Sequence, residues 1–315
     1  MPALLRLSKR CLAPVAALAS TCLVLPAAAN TVVTTEHVRA ELLAHAPHGV
    51  AQGRPVWLAL AIEHQPRWHS YWRNPGDSGL PTSLNWQLSG GATGGDIAWP
   101  TPQAMRMGPL VNYGYEGTVL LPVPVTVPAN FGARELLVAL QAEWLVCKDV
   151  CVPESGEFAL KLPAGTATAM HARRFEDALA RVPVELATVR SRASIEQRAL
   201  AVEVDGLPPE LRGHELHFFA ETAGVVEHAA AVDQRWEAGR WIARVPLAAQ
   251  RSESPQVMHA VLVPQSQAAT GIRVRLAISG SWSNAASPPL SATRRVALIW
   301  PHNAREVRSN ASTKE

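Results

Sequence analysis

Residues 135–162 read ELLVALQAEWLVCKDVCVPESGEFALKL. Two segments with the periodicity of β-strands flank a pair of cysteines, and the valines and the proline near the pair disfavour a helix. Strands joined by a short loop form a hairpin, in which residues on either side of the loop face each other. The stretch therefore predicts a β-hairpin with Lys148-Asp149-Val150 as its loop and with Cys147 opposite Cys151.

Short strand-like segments recur along most of the chain, separated by clusters of Gly, Pro, Asn and Asp. Evenly spaced short strands of this kind are typical of antiparallel β-sandwiches. Pro122, Pro124 and Pro128 cannot donate to a sheet's hydrogen bonds, which predicts a strand at a sheet edge. The other segments are 55–63, 83–88, 199–204, 214–221, 240–247, 256–263, 272–279 and 294–300.

One segment departs from this pattern. Residues 166–182 carry Phe175, Ala178 and Leu179 at helical spacing, and Pro183 ends the run. The sequence therefore predicts an all-β protein of two antiparallel β-sandwich domains joined by a short helical connector. The predicted boundaries are 30–163 for the first domain, 164–185 for the connector, 186–300 for the second domain and 301–315 for a polar tail.

The first 29 residues have the layout of a secretory signal peptide. A basic start containing Arg6 is followed by the apolar run Cys11–Leu25 and by three alanines suited to cleavage. The run is shorter than the roughly 20 residues that a membrane-spanning helix needs. We therefore expect an exported mature chain, in the periplasm if the source is a Gram-negative bacterium.

Charge and cysteine content change when the leader is removed. The leader takes three of the 29 basic residues and none of the 26 acidic ones, which leaves 26 of each. A balanced chain lacks the concentrated positive charge that phosphate binding requires, so no nucleic-acid partner is expected. The leader also takes two cysteines, so Cys147 and Cys151 remain as a pair in a compartment where disulfides persist.

Three roles are open for this pair. As a structural staple, the disulfide would stabilise the fold only slightly. Closing so short a loop removes less entropy from the unfolded chain than closing a 15-residue loop, which stabilises a protein by about 3 kcal/mol. As a copper(I) site, Cys147 and Cys151 would need soft partners such as Met105 and Met107, with His69 beside them. As a redox pair the cysteines exchange their bond with another protein, because strained exposed disulfides are easily reduced.

The charges around the pair do not select one of these roles. A cation such as Lys148 favours a thiolate, whereas Asp149 and Glu154 oppose one. The sequence leaves the balance between these charges open.

Three motifs resemble one known family. They are RWHSYWRNPGDSGLPTSLNW (67–86), WPTPQAMRMGPLVNYGYEG (99–117) and WLVCKDVCVPESG (144–156). All three are similar to the N-terminal periplasmic domain of the DsbD/ScsB thiol:disulfide interchange proteins, with the ScsB-like branch the nearer. The resemblance is strong over 36–163 and weaker over 195–300.

The resemblance implies an immunoglobulin-like fold that passes electrons by dithiol/disulfide exchange. The family takes electrons from a membrane-embedded thiol:disulfide reductase and hands them to periplasmic thioredoxin-like proteins, in processes such as cytochrome c biogenesis and copper tolerance. No cofactor is implied beyond the redox-active disulfide. Cys147 and Cys151 fall on the family's reactive pair, and Cys151 is expected to form the mixed disulfide.

The family also implies neighbours for the pair. Leu110–Tyr115 lies where the family has a cap loop, and Tyr113 matches its aromatic residue. Asn112 stands where the family has a different residue type. His69 and Tyr71 fall near positions that bear aromatic neighbours of the active site.

The run GDSG (76–79) superficially resembles the segment around a serine-protease nucleophile. It is interpreted as turn residues, because such a nucleophile needs a positioned His and Asp.

The family's membrane and thioredoxin domains have no counterpart in these 315 residues. The chain is thus either a free-standing version or a fragment, and we expect it to depend on a partner for electrons.

Overall fold

The computed structural model describes residues 30–265 and 270–282. The predicted leader, the predicted strand at 294–300 and the polar tail lie outside the described residues. The chain divides into two compact units. Among the described residues, the first unit contains 30–105 and Asn112–Pro183, and the second contains Arg106–Val111 and the residues from Val184 onward.

Strands make up most of residues 30–163, because apolar residues alternate there with polar ones. The strands are β1 Val32–Thr34, β2 Val38–His45, β3 Trp57–His64, β4 His69–Gly76, β5 Ser83–Leu88, β6 Thr93–Gly94, β7 Gln103–Met107, β8 Leu110–Glu116, β9 Thr118–Thr126, β10 Glu135–Cys147 and β11 Cys151–Pro163.

These strands form two sheets. One has the order β1-β2-β3-β9-β6, and the other has the order β11-β10-β4-β8-β7, with β5 also pairing with β10. The predicted all-β class with antiparallel sheets is confirmed. The longest pairing joins β10 to β11 from Glu135↔Pro163 to Cys147↔Cys151. Alternate residues of β10, from Leu136 to Val146, are buried, so this hairpin presents one face to the core.

The proline-containing strand β9 lies one position inside the sheet edge rather than at the edge itself. It pairs with β3 on one side, where Ala59 stands opposite Pro122. Its other side meets only the two-residue β6, and the carbonyls of Pro122 and Pro124 accept hydrogen bonds from Ala98 and Gly95. The prolines are tolerated because the hydrogen bonds on the β6 side of β9 use proline carbonyls as acceptors and need few amide donors from β9.

The helix is shorter than the sequence predicted and has a different role. It spans α1 Ala172–Leu179, because Thr168 is already engaged in a β-bridge with Ala46. Phe175 is completely buried in a cluster with Leu43 and Leu120, which lie on strands of the first unit. The helix therefore covers one sheet of the first unit instead of serving only as a connector.

The second unit is also built from antiparallel strands around one core. Its sheet has the order β14-β17-β18-β12-β13-β16-β15, with a short parallel pairing between β12 and β18. Trp241 is completely buried in its core. The elements are β12 Arg190–Glu196, β13 Ala199–Asp205, a 3-10 turn Pro209–Leu211, β14 Leu216–Ala220, β15 Asp233–Glu237, β16 Arg240–Pro246, β17 Val257–Pro264 and β18 Ile272–Ser279. Within the two described ranges, no helix is long and apolar enough to cross a membrane.

Candidate functional site

The two cysteines lie at the tip of the β10–β11 hairpin. Cys147 ends β10, Cys151 begins β11, and the two are directly paired in the strand register and joined by a disulfide. The three-residue loop between them is closed by a hydrogen bond from the Lys148 amide to the Val150 carbonyl, 3.2 Å long. Cys147 is 2% exposed, whereas Cys151 is exposed. Cys151 is therefore the residue of the pair that lies at the surface.

A tyrosine hydroxyl contacts both sulfurs. Strand β4 pairs with β10 at His69↔Cys147, and residues two apart on a strand share a face, so Tyr71 lies beside the disulfide. The Tyr71 hydroxyl donates a hydrogen bond to Cys147 Sγ at 2.8 Å and lies 3.6 Å from Cys151 Sγ. Burial raises the pKa of Tyr71 and outweighs the opposing hydrogen bond with the Ser78 side chain. The phenol is therefore protonated at neutral pH and available as a donor.

His69 is a buried neighbour of the pair. Its ring meets the Tyr71 ring edge-on, with 5.2 Å between centroids, and its Nε2 has no hydrogen-bond partner. Burial lowers the pKa of His69 despite the opposing charge of Glu116. This neutral, buried imidazole therefore lines one side of the site, next to Tyr71.

The connection between β4 and β5 lies over Tyr71. Gly79 has φ +106°, and a Cβ at this position would lie 2.3 Å from the Tyr71 ring. Beside it, the Ser78 amide and hydroxyl donate to Oδ1 of the buried Asn112 at 3.2 and 3.0 Å. Of the GDSG run, Gly76 ends β4, while Asp77 and Ser78 lie in a turn and a bend, and Gly79 packs on the tyrosine that contacts the disulfide.

The predicted cap segment has a different structure from the loop that the family resemblance implied. Leu110–Glu116 forms strand β8, which pairs with β4 at Tyr71↔Gly114 and Gly76↔Asn112. A Cβ at Gly114 would lie 2.0 Å from the Ser70 carbonyl oxygen, so only glycine allows this close approach. Asn112 contacts Ser78, and the Tyr113 ring meets the Trp72 ring at 6.5 Å.

Glu154 does not face the cysteines, which corrects its prediction as a site neighbour. It is paired with Trp144 in the hairpin, three positions along the strands from the Cys147–Cys151 pair. An odd number of positions places it on the other face of the hairpin. Its carboxylate accepts hydrogen bonds from Thr35 Oγ1 at 2.6 Å, His37 Nδ1 at 2.8 Å and Trp144 Nε1 at 3.2 Å. Glu154 therefore holds the β1–β2 turn against the hairpin.

The remaining predicted residues lie on the loop and on β7. Lys148 is half-buried and Asp149 is exposed in the hairpin loop. The Met105 methyl group lies against Gly114, while Met107 belongs to the second unit. Among the residues that the structure describes, no group of three or more His, Cys, Asp or Glu is placed to hold a metal ion.

Ser78 and Gly79 are site residues that the sequence analysis missed as such. Their turn conformation was readable from the motif, because glycine and aspartate favour turns. Their position over Tyr71 could not be read from the motif, because it depends on strand pairing. Strand β10 pairs with β5 over Val138–Glu143 and with β4 only at Cys147.

Fold and site together define the class: an antiparallel β-domain with a half-exposed disulfide at a hairpin tip. Residues 39–163 match the family model described as "Thiol:disulfide interchange protein DsbD, N-terminal". This part of the chain is therefore a domain of the DsbD N-terminal family, as the three motifs indicated. Comparison with curated protein sequences gives no match.

One solved structure with a similar fold is the N-terminal periplasmic domain of ScsB from Proteus mirabilis. The TM-score is 0.57 at 17% sequence identity, and the alignment covers 78% of this chain and 97% of that chain. At this identity the likeness concerns the fold alone. The covered share is larger than residues 39–163, so the likeness in fold extends beyond the family match.

Proposed function

We propose that this chain is a periplasmic thiol:disulfide interchange protein in which Cys147 and Cys151 are the exchanging pair. The observation that carries the proposal is the difference in burial between the two cysteines. Cys151 is exposed, while Cys147 is buried and accepts a hydrogen bond from Tyr71. The membership of residues 39–163 in the DsbD N-terminal family supports it.

The first step is attack by a partner's thiolate on Cys151 Sγ. A new bond forms between the partner's sulfur and Cys151 Sγ, and the Cys147–Cys151 bond breaks. The electron pair of the broken bond leaves on Cys147 Sγ. Disulfide exchange follows this route through a mixed disulfide, and the exposed sulfur is the one that a partner can reach.

Tyr71 stabilises the leaving sulfur in this step. A hydrogen bond to a charged group contributes about 1.5–3 kcal/mol, more than one to a neutral group. The Tyr71 hydroxyl already lies 2.8 Å from Cys147 Sγ, so the donor needs no large movement as negative charge develops there. A lower leaving-group pKa speeds exchange. Tyr71 therefore acts as a catalytic residue in this proposal.

The second step completes the transfer. The partner's second thiolate attacks the partner's own sulfur in the mixed disulfide, and Cys151 leaves as a thiolate. The partner is now a disulfide and this chain is a dithiol, with two protons taken up from solvent. Delivery to a recipient runs in reverse: Cys151 attacks the recipient's disulfide and Cys147 resolves the intermediate.

Donor and recipient are those that the family resemblance implies. We infer a membrane-embedded thiol:disulfide reductase as the electron donor and thioredoxin-like proteins of the periplasm as recipients, with the predicted leader directing export. The periplasmic origin of the ScsB domain with a similar fold supports this compartment. In this proposal the reactive disulfide supplies the redox chemistry without a further cofactor.

Single-cysteine variants test the proposal. The probe is a thioredoxin with its resolving cysteine replaced by Ser and its remaining cysteine activated with 5-thio-2-nitrobenzoate. The Cys147→Ser variant, which keeps the exposed Cys151, is expected to form a one-to-one mixed disulfide and release the coloured thiol. Cys151→Ser is expected to react at least tenfold more slowly, because Cys147 is buried. Equal rates, or no adduct with either variant, would overturn the assignment.

A further inference from the structure

A row of paired residues crosses four strands at the level of the disulfide. Cys151 is paired with Cys147 across β11 and β10, and Cys147 is paired with His69 across β10 and β4. His69 is paired in turn with Glu116 across β4 and β8. Residues directly opposite each other in antiparallel strands project from the same face, with Cβ atoms about 4.5–5.5 Å apart. The row therefore places an imidazole between the buried cysteine and a carboxylate.

The side chain of His69 lies on the face of β4 that contacts the disulfide. Tyr71 is two residues further along the strand, and side chains two apart share a face. The Tyr71 hydroxyl is 2.8 Å from Cys147 Sγ, and the His69 ring meets the Tyr71 ring with 5.2 Å between centroids. The imidazole is therefore on the same side of the sheet as the sulfur, and of the two rings it is the one directly opposite Cys147.

One nitrogen of His69 is available to take a proton. His69 is 2% exposed, and its Nε2 has no hydrogen-bond partner in the described part of the chain. Leaving a buried polar atom without a partner costs free energy, which a partner formed in another state of the site would offset. A disulfide has no proton to donate, whereas reduced Cys147 carries an S–H group in the same row.

The charges around His69 favour proton transfer in the dithiol state. Burial lowers the pKa of His69, so the ring is neutral at pH 7 while the disulfide is intact. The exposed Glu116 opposes this shift and stabilises an imidazolium when one forms. His64 also interacts with His69, but burial lowers the pKa of His64 to about 4, so it adds no charge at neutral pH. An imidazolium at His69 is therefore favoured when negative charge forms beside it at Cys147.

We propose that His69 is the proton acceptor of the Cys147 thiol and that Glu116 stabilises the imidazolium that results. The inference rests on the proposed function, in which Cys147 resolves the mixed disulfide with a recipient. It adds to that function the group that converts the buried cysteine into a nucleophile.

The step begins with Cys151 bonded to the recipient and with Cys147 as a thiol. His69 Nε2 accepts the thiol proton, and the electron pair of the S–H bond stays on Cys147 Sγ. This thiolate attacks Cys151 Sγ, so the Cys147–Cys151 bond forms and the bond between Cys151 and the recipient breaks. The electron pair of the broken bond leaves on the recipient's sulfur, and the imidazolium returns its proton to that sulfur or to solvent.

A stopped-flow experiment on the full chain, reduced and freed of reductant, tests the proposal. The probe is the aromatic disulfide dithiobis(nitrobenzoate) at equimolar concentration. Attack by Cys151 releases the first coloured thiolate, and attack by Cys147 on the mixed disulfide releases the second. The absorbance thus reports the two steps separately.

His69→Gln is expected to slow the second release by about ten- to thirtyfold at pH 7. Without a base, a thiol with a pKa of about 8.5 is only about 3% ionised at this pH. The difference from wild type should disappear as the pH rises above that pKa, and the first release should keep its rate. A second release with the wild-type rate and pH profile, or one slowed equally at every pH, would overturn the proposal.

Two further variants serve as comparisons. Glu116→Gln is expected to slow the second release by a smaller factor, since the imidazolium loses the opposite charge beside it. His45→Gln alters a histidine that stacks on Phe175 and is expected to leave both releases unchanged. A wild-type protein that shows no second release would instead overturn the proposed function, because Cys147 would then not resolve the mixed disulfide.

A measurement on the wild-type protein keeps the proposal testable if His69→Gln does not fold. The ring nitrogen shifts of His69 are titrated by NMR in the disulfide and dithiol states. In the dithiol state they are expected to share a titration step with the Cβ shift of Cys147, because two interacting groups titrate as a pair. Identical His69 titration curves in the two states would contradict the proposal.

Discussion

Tyr71 is the residue on which the chemistry of the site depends most after the cysteines. Its ring is 1% exposed, and its hydroxyl lies within reach of both sulfurs. The sequence placed an aromatic neighbour here only through the family resemblance. The hydrogen bond to Cys147 could not be read from the sequence, because it depends on the pairing of His69 with Cys147 across two strands distant in the chain.

Replacing Tyr71 by Phe removes the hydroxyl and keeps the ring. We expect the rate of attack by a small thiol on the disulfide to fall by about tenfold or more, since the departing Cys147 thiolate loses a charge-assisted hydrogen bond. Stopped-flow reduction by dithiothreitol measures this rate. A variant as fast as wild type would show that Tyr71 contributes packing alone.

The β10–β11 hairpin is the element that positions the site, and it is also the element most readable from sequence. Its register, loop and cysteine pairing follow from strand periodicity around a short loop. Strand β8 is not predicted from the sequence, because the family resemblance places a cap loop at Leu110–Tyr115, where the structure has a strand. The helix was found but overextended, since the bridge of Thr168 to Ala46 is a tertiary contact that no local pattern reveals.

Glu154 anchors this hairpin to the β1–β2 turn. Burial raises the pKa of Glu154, but hydrogen bonds from Thr35, His37 and Trp144 outweigh it and the net shift is downward. A lowered folded-state pKa contributes stability above the unfolded value, which is lost as the pH falls through the folded value.

Glu154→Gln should therefore destabilise the folded state by about 1–3 kcal/mol at pH 7, because buried donors lose a charged acceptor. The difference from wild type should shrink as the pH falls below the usual range of a carboxyl group. Urea denaturation at several pH values measures both, with Glu157→Gln on the exposed face of β11 as the control. A pH-independent difference would contradict this role for the charge.

At the scale of the whole molecule, a buried histidine links stability to pH. The Nδ1 of His64 donates to the Gly117 carbonyl at 2.7 Å, and its Nε2 is buried without a partner. Burial lowers the pKa of His64 from 6.5 to about 4. The unfolded chain thus binds a proton that the folded chain excludes between these values, so stability falls as the pH drops from 6.5 towards 4.

His64→Asn keeps a side-chain donor and removes the titrating group. The variant should lose part of its stability at neutral pH. Between pH 6.5 and 4 its stability should decline less steeply than that of wild type, which thermal melting at several pH values measures. A decline as steep as that of wild type would assign the acid sensitivity to other groups.

The proposed function requires that the disulfide of the hairpin exchange with other thiols. The direct measurement is a redox titration of the protein in glutathione buffers, with the dithiol fraction read by thiol alkylation. We expect Cys147 and Cys151 to equilibrate with the buffer at a potential above about −300 mV, in the range of exchanging pairs. A potential below that value would identify an inert structural bond and contradict the proposed function.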